Sequence, residues 1–160
     1  MDNAIITLLD QFGINYKLYH HIAVFTVEEA NKIDSKIEAF HTKNLFLTDK
    51  KGWHHLVCIG AHHRLKIKDF ARAYGLKDLS FGSMEDLTHE LHTTPGSVSV
   101  FGMMYQTNTK LYLDPDIIDQ PAIGRHPNDN TSTVVISYGE LRNFLRTINI
   151  TPTKLKSDIL

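Results

Sequence analysis

Two apolar segments on either side of a short polar turn constrain the fold of this chain most strongly. Residues 44–48 read Asn-Leu-Phe-Leu-Thr and residues 55–59 read His-Leu-Val-Cys-Ile. Each has the length and the composition of a β-strand. Asp49-Lys-Lys-Gly52 lies between them and has the residue types of a turn. The pair therefore predicts a β-hairpin.

Helix-like and strand-like periodicities are mixed irregularly along the rest of the chain. Capping-box spacing at residues 26–29 predicts a short helix. Further helices are predicted from about residue 5 to Gly13, from Ile67 to Gly75, from Ser83 onward and from Ser137 onward. Further strands are predicted at residues 16–19, 110–113, 122–123 and 133–136. Without regular βαβ alternation, this mixed α/β pattern favours a compact, barrel-like mixed sheet surrounded by helices over a doubly wound parallel sheet.

Length and composition indicate one globular domain over residues 1–160. Hydrophobic residues make up 42% of the chain and charged residues 22%, as in ordinary globular proteins. The single cysteine, Cys58, lies in the apolar run 56–59, which excludes a disulfide framework and predicts a core thiol. No segment approaches the ~20 apolar residues of a membrane span, and the N-terminus lacks the basic region of a secretion signal. We therefore expect a cytoplasmic protein that does not enter a membrane.

The charge balance limits the size of any nucleic-acid interface. The formal net charge is −1, which argues against many phosphate contacts and leaves room for a small footprint. Between residues 64 and 77, however, Asp69 is the one acid among five basic residues: Arg64, Lys66, Lys68, Arg72 and Lys77. This run fits a solvated helix face or a phosphate-binding surface, and Arg64, Lys66 and Lys68 are the candidate contacts.

Several common catalytic layouts are missing from the sequence. It contains no GxSxG, GxxxxGK[ST], GxGxxG or HExxH pattern. Its ten histidines include the pairs His54-His55 and His62-His63. Adjacent residues on a strand point to opposite faces, so such a pair does not readily supply two ligands to one ion. The sequence favours surface or partly buried histidines and predicts neither a metal nor a cofactor.

Three polar segments are candidates for chemistry. Lys43 stands at the beginning of an apolar strand, where a cation binds a phosphate or stabilises an oxyanion, although a strand-end lysine can also simply reach solvent. Residues 95–102 read Pro-Gly-Ser-Val-Ser-Val-Phe-Gly, which suits either an anion-binding backbone or an ordinary turn. Residues 124–133 form a polar stretch whose His126 can act as an acid, a base or a water-orienting donor. Asn and Asp turn chemistry explains that stretch equally well.

Together these segments occur in the order seen in a known family. Thr-Lys-Asn-Leu-Phe-Leu at 42–47, Gly-Ser-Val-Ser at 96–99 with Phe101-Gly102, and His126-Pro with Asn130-Thr131 resemble the YbaK-like deacylases. These are freestanding relatives of the prolyl-tRNA synthetase editing domain, and the PrdX type is the most similar branch. The resemblance extends from the opening helix to the final helix.

The resemblance implies an enzyme that hydrolyses mischarged aminoacyl-tRNA, typically alanine on the proline tRNA, without a metal. It implies catalytic roles for Lys43 and His126, and a substrate-binding role for a larger set: Thr42, Asn44, Gly96, Ser97, Val98, Ser99, Gly102, Asn130 and Thr131. The partner would be the acceptor end of tRNA(Pro), with prolyl-tRNA synthetase as a further candidate partner. The sequence leaves open whether His126 or the ribose hydroxyl activates the water.

One position departs from the family pattern, and two other functions stay open. Val100 stands where relatives often carry proline, which frees φ, restores an N–H and bears on loop rigidity and amino-acid selectivity. One alternative function is a deacylase for cysteine, serine or threonine. The other is a non-catalytic module of the same fold that binds a tRNA end or another ligand.

Overall fold

The computed structural model describes residues 3–23, 25–34, 36–125 and 131–160. Its α-helices are α1 (Asn3–Gln11), α2 (Val27–Asp34), α3 (Ile67–Tyr74), α4 (Met84–Leu91) and α5 (Tyr138–Thr147). Its strands are β1 (Lys17–His20), β2 (Phe40–Thr48), β3 (His54–Gly60), β4 (Ser80–Phe81), β5 (Thr109–Leu113), β6 (Ile123–Arg125), β7 (Ser132–Ile136) and β8 (Thr153–Lys154). Short 3-10 helices span Val100–Tyr105, Pro115–Ile117 and Ser157–Ile159.

The strands form one mixed sheet in the order β1-β7-β6-β2-β3-β5-β8, with β4 pairing onto β2. β2 and β3 are antiparallel neighbours over seven residue pairs, which confirms the predicted hairpin. β2–β6 and β3–β5 are parallel, whereas β1–β7 and β6–β7 are antiparallel. The sequence pattern therefore predicts the mixed sheet correctly and misses the two-residue strands β4 and β8.

Local signals in the sequence explain where the helices begin and end. Thr26 and Glu29 form the predicted capping box at the start of α2. The Ser83 and Ser137 side chains each accept a bond from a backbone N–H three residues on and so cap α4 and α5. Gly75 ends α3 in the left-handed conformation, with φ of 67°.

Two hydrophobic cores lie on opposite faces of the sheet. The larger core packs α1, α4, α5 and the 3-10 helix Val100–Tyr105 against side chains such as Phe46, Leu56 and Cys58. The smaller core packs α3 and the C-terminal segment against Leu47, Val57, Ile59 and Tyr112. Alternate residues of β2 and β3 thus face different cores, as a strand requires. In the described ranges, no helix has both the length and the apolar character needed to cross a bilayer.

Candidate active site

The two edges of β2 are covered unequally. β3 pairs with one edge along residues 42–48. On the other edge, β6 pairs with residues 40–41 and β4 with residues 47–48. Among the residues that the structure describes, no strand covers residues 43–45 on that side. We call this stretch of β2, which pairs with none of the described strands on that side, the β2 gap (residues 43–45); it coincides with the predicted catalytic segment.

Asn44 presents unused hydrogen-bonding groups at the β2 gap. The backbone N–H of Phe40 and the carbonyls of Thr42 and Phe46 all form bonds on this side of β2. Because a strand repeats every two residues, the main chain of Asn44 faces the same way. Both polar atoms of its side-chain amide are shielded from solvent, and neither has a partner within the described ranges. A buried amide of this kind costs about 1–3 kcal/mol, so it is expected where a ligand supplies the partner.

Arg125 joins the gap to the Pro95–Gly102 segment. Its Nη1–H donates to the Thr42 carbonyl at 3.0 Å, while its Nε–H and Nη2–H donate to the Val98 carbonyl at 3.1 and 2.9 Å. One planar guanidinium therefore fixes the beginning of β2 beside the loop. Sequence reasoning overlooked this residue. The available signal was an arginine between the predicted strand at 122–123 and the polar stretch that contains His126.

The predicted glycine-rich loop divides into a turn and a 3-10 helix. Gly96 has φ of +93°, a conformation that favours glycine, and the Ser97 N–H donates to the Thr94 carbonyl. Ser97, Val98 and Ser99 are buried. The N–H groups of Gly96 and Val98 form no hydrogen bond within the part of the chain that the structure describes. These two amides are therefore the loop donors that remain for an anion.

The structure corrects the expectation for the end of this loop. Gly102 lies in the 3-10 helix, is buried, and donates its N–H to the Ser99 carbonyl, so this N–H is already bonded. Val100 is the first residue of that helix and is 3% exposed. Proline is also well tolerated at a first helical position. The effect of Val100 on loop rigidity and amino-acid selectivity stays a prediction.

Lys43 points to the opposite face of β2 from Asn44. It pairs with Ile59 and shares the face of Leu45 and Leu47, which pack in the smaller core. The loop packs in the larger core. Lys43 and the loop therefore lie on different faces of the sheet. The described contacts include none between them, and their convergence on one substrate stays a prediction.

The candidate tRNA contacts lie on the Lys43 face. Ala61 bonds to the His41 carbonyl, so the chain leaves β3 beside the beginning of β2. The next residues line an open pocket of about 590 Å³ that contains the exposed basic side chains Arg64, Lys66 and Lys68. Leu65, between them, is buried in the smaller core and orients the segment. The basic segment and Lys43 thus occupy the same end and the same face of the sheet.

The late polar stretch is described only in part. Thr131 accepts the His21 N–H through its carbonyl just before β7, which pairs with β6 beside Arg125. His126 and Asn130 lie outside the described residues, so their roles stay predictions.

The histidine pairs differ from each other and from expectation. His54 and His55 do point to opposite faces, because His54 stacks on Phe46 and His55 contacts Phe70. However, His55 is fully buried rather than exposed or partly buried. His62 and His63 lie in a turn after β3, so strand alternation does not apply to them.

In that turn, ring nitrogens of His62 and His63 and a carboxylate oxygen of Asp116 lie within 4.8 Å of one another. Among the described residues, this is the group of three side chains whose donor atoms lie close enough together to hold a divalent cation. Its closest internal contact is a hydrogen bond, since the His63 Nε2 and the Asp116 carboxylate are 2.9 Å apart. A histidine–carboxylate pair accounts for that geometry without an ion.

Cys58 is a core residue, as the sequence predicts. It is 2% exposed, and burial raises the pKa of its thiol to about 12. The neutral thiol is a poor nucleophile, and this leaves the β2 gap as the candidate centre.

Comparison with known proteins identifies the family of this chain. The model of the aminoacyl-tRNA editing domain family matches residues 21–144, which include β2, the loop and the polar stretch. The prolyl-tRNA editing protein ProX of Acetoanaerobium sticklandii is 36% identical over 146 residues, covering 89% of each chain. Prolyl-tRNA synthetase associated domain-containing protein 1 of Danio rerio is 30% identical over 154 residues, covering 94% of this chain and 84% of the relative.

Solved structures share the fold at low sequence identity. A hypothetical protein superposes with a TM-score of 0.73 at 16% identity, covering 94% of this chain and 97% of the other. A protein proposed to be a trans-editing enzyme for prolyl tRNA synthetase superposes with a TM-score of 0.72 at 19% identity, covering 96% and 95%. The fold, the matched range and the identity to relatives agree: this chain belongs to the aminoacyl-tRNA editing domain family.

Proposed function

We propose that this protein is a trans-editing deacylase that hydrolyses the ester between a wrong amino acid and tRNA, with alanine on tRNA(Pro) as the preferred substrate. The unpartnered amide of Asn44 at the β2 gap carries the proposal, because it marks a position where a polar ligand completes the hydrogen bonding. The similarity to ProX supports the substrate class.

The reaction needs positioning and charge stabilisation more than a protein nucleophile. Water attacks the ester carbonyl, and the carbonyl oxygen becomes an oxyanion. When this intermediate collapses, the ribose oxygen leaves and takes up a proton, which releases the amino acid and a tRNA with a free hydroxyl. Preorganised N–H donors at the developing charge supply much of the rate enhancement.

On the loop side of the gap, the donors would be the N–H groups of Gly96 and Val98 and the side-chain amide of Asn44. Arg125 would act as a positioning residue, since it holds the loop against β2 through two carbonyls. Ser97 and Ser99, with Thr42, would shape the pocket for the amino acid. His126, with Asn130 and Thr131, would border it and orient the water.

On the other face, Lys43 would hold the terminal phosphate of the 3′ end or stabilise the ester oxygen. Its position on the same face as the basic segment Arg64, Lys66 and Lys68 supports the phosphate role. A phosphate role and an oxyanion role differ in their kinetic signature. Loss of a phosphate contact raises KM, whereas loss of an oxyanion contact lowers kcat.

Amino-acid selection would be steric. One methylene is worth only ~1–3 kcal/mol in a binding pocket, so a synthetase cannot strongly reject a smaller amino acid. A second pocket that admits alanine and excludes proline corrects the error. Such an activity belongs in the cytoplasm, where tRNA is charged, and prolyl-tRNA synthetase is the proposed partner for substrate transfer.

A deacylation panel tests the function. Alanine, cysteine, serine, threonine and proline, each attached to tRNA(Pro), are incubated with the wild type, Lys43→Ala and the control Lys17→Ala, which removes an exposed lysine of β1. We expect hydrolysis of the alanyl ester by the wild type and the control, and loss of that activity in Lys43→Ala with an unchanged circular dichroism spectrum.

Each other outcome of the panel has a defined meaning. Faster hydrolysis of another ester changes the assigned amino acid. Retained turnover by Lys43→Ala removes its role. No turnover of any ester by the wild type rejects the deacylase and leaves a binding module.

A further inference from the structure

A second basic pocket lies at the opposite end of β2, around the β2–β3 turn. This hairpin pocket has a volume of about 310 Å³. Four lysines line it together with the exposed ring of Trp53: Lys50, Lys51, Lys77 and Lys110. Lys110 lies over the Trp53 ring, with Nζ 5.3 Å from the ring centroid. Four cations around one cavity repel each other, and an anionic ligand relieves that repulsion.

Asp49 also lines this pocket, and both of its carboxylate oxygens are engaged in hydrogen bonds. One Asp49 oxygen accepts the backbone N–H groups of Lys51 and Trp53, at 2.8 and 3.2 Å. The other is 2.8 Å from His55 Nε2, and the side chain is only 8% exposed. Asp78 lies 4.0 Å from Lys50, but both side chains are well exposed and such a pair is weak. The lysines therefore dominate the charge that a ligand meets.

The pocket walls are held in place before any ligand arrives. His55 links Asp49 to the Tyr112 hydroxyl through hydrogen bonds of 2.8 Å on each side. The Lys50 N–H bonds to the Lys77 carbonyl and fixes the hairpin to the segment after α3. Preorganisation of this kind lowers the entropy cost of binding.

The hairpin pocket and Lys43 lie on the same face of the sheet. Lys110 pairs with His55, whose side chain packs on the α3 side, and Lys43 also faces the smaller core. From Lys43 to Thr48, β2 rises about 17 Å at ~3.3 Å per residue. The hairpin pocket therefore lies about 17 Å along β2 from the residue proposed to hold the 3′ end of the tRNA. The helix α3 contains Lys68 of the basic segment and leads along the chain to Gly75, Leu76 and Lys77 of the hairpin pocket.

We propose that the hairpin pocket binds backbone phosphates of the duplex stem of the tRNA whose 3′ end occupies the β2 gap. The inference rests on the proposed tRNA substrate and adds a second contact about 17 Å along β2 from Lys43. Lys77 and Lys110 contact phosphates, and Trp53 supports Lys110. The site reads no base, so it contributes affinity and orientation but no sequence preference.

Binding of uncharged tRNA(Pro), measured by fluorescence anisotropy over a range of salt concentrations, tests this site without relying on catalysis. The variant is Lys77→Ala/Lys110→Ala, and the matched control is Lys17→Ala/Lys36→Ala, which removes two exposed lysines elsewhere. For the variant we expect Kd to rise about tenfold and the log–log salt slope to fall by about 1.5, at ~0.7–0.9 per lost phosphate contact. The control should match the wild type.

A single-stranded oligonucleotide with the same 3′ end separates the two sites. The hairpin variant and the wild type should bind this oligonucleotide equally well, because the oligonucleotide has no duplex for the hairpin pocket to contact. Equal weakening on both RNAs, or an unchanged salt slope on tRNA, overturns the proposal. Binding of inorganic phosphate to the wild type but not to the hairpin variant, with no effect of phosphate on tRNA affinity, also overturns the proposal, in favour of a small-anion site. If the wild type hydrolyses no ester but the variants show this binding pattern, the proposed chemistry is rejected and the phosphate-binding role of the pocket stands.

Discussion

The two ends of β2 contrast in how they satisfy their polar groups. At the hairpin end, Asp49, His55 and Tyr112 form a closed chain of hydrogen bonds, and both ring nitrogens of His55 have partners. At the gap end, Asn44 keeps a shielded amide without a partner among the described residues. A network in which every polar group has a hydrogen-bond partner stabilises a fold, whereas a buried polar group without a partner is expected where a ligand supplies that partner. Substitutions at the two ends should therefore separate stability from activity.

The hairpin network has a defined protonation state. Burial lowers the pKa of His55, so its ring is neutral at neutral pH even though the hydrogen bond to Asp49 opposes the shift. Burial raises the pKa of Asp49, but the bonds from His55, Lys51 and Trp53 outweigh it and lower the pKa overall. The neutral ring donates from Nε2 to Asp49 and accepts the Tyr112 hydroxyl proton at Nδ1. Within the described residues, both ring nitrogens of His55 and both carboxylate oxygens of Asp49 therefore have hydrogen-bond partners.

The largest effect is expected from His55→Ala, on stability. It leaves the Asp49 carboxylate and the Tyr112 hydroxyl without their partner and opens a cavity, which should cost about 3 kcal/mol of unfolding free energy. Urea denaturation measures the loss, with His62→Ala as an exposed control. The deacylation rate per folded molecule should stay at the wild-type level. A fall in the deacylation rate per folded molecule would show that the hairpin end serves catalysis as well as stability.

The next largest effect is expected from Asn44→Ala, on activity. Removing one donor to a developing oxyanion typically lowers turnover about 100-fold. The free energy of unfolding should stay the same or rise, because a buried unpaired amide has been removed. Single-turnover deacylation and urea denaturation measure the two quantities. A stability loss without an activity loss would make Asn44 a structural residue and break the contrast between the two ends.

A saturated carboxylate elsewhere gives a third test, through pH. Glu90 is 1% exposed and accepts bonds from Thr107, Asn108 and Thr109. Burial raises its pKa, but these bonds lower it from 4.5 to about 2. A depressed folded-state pKa stabilises the fold above about pH 4.5, and this contribution is lost as the pH falls toward 2.

Replacing Glu90 by Gln should lower the free energy of unfolding by about 2 kcal/mol at neutral pH. It should also weaken the fall in stability that accompanies acidification. Thermal unfolding between pH 2.5 and 7 measures both effects. If stability falls as steeply with acidification in the variant as in the wild type, other carboxylates are responsible for that loss.

The smallest of these effects is expected from Arg125→Lys. An ammonium group cannot bond the Thr42 and Val98 carbonyls in the forked geometry of a guanidinium, so the loop should lie less precisely against β2. We expect about a tenfold loss in kcat/KM, mostly in kcat, and nearly unchanged stability. Steady-state deacylation gives the split, and a loss confined to KM would place Arg125 in substrate binding instead.

Local periodicity was enough to predict the secondary structure of most elements. The hairpin at Asp49-Lys-Lys-Gly52, the capped helices and the buried Cys58 depend on neighbours within a few residues, and the structure confirms them. Strands β4 and β8 escaped prediction because two residues carry no readable period. The 3-10 helix at Val100–Tyr105 escaped because glycine and serine suggested a loop.

By itself, the sequence determined the family, the hairpin and the identity of the site segments, because these are properties of short motifs and their order. The tertiary structure decided which groups meet. It tied Arg125 to Val98, engaged the Gly102 amide, and gathered Lys77 and Lys110 at one turn. These contacts join residues far apart in the chain. Their geometry follows from strand order and packing, which no local pattern encodes.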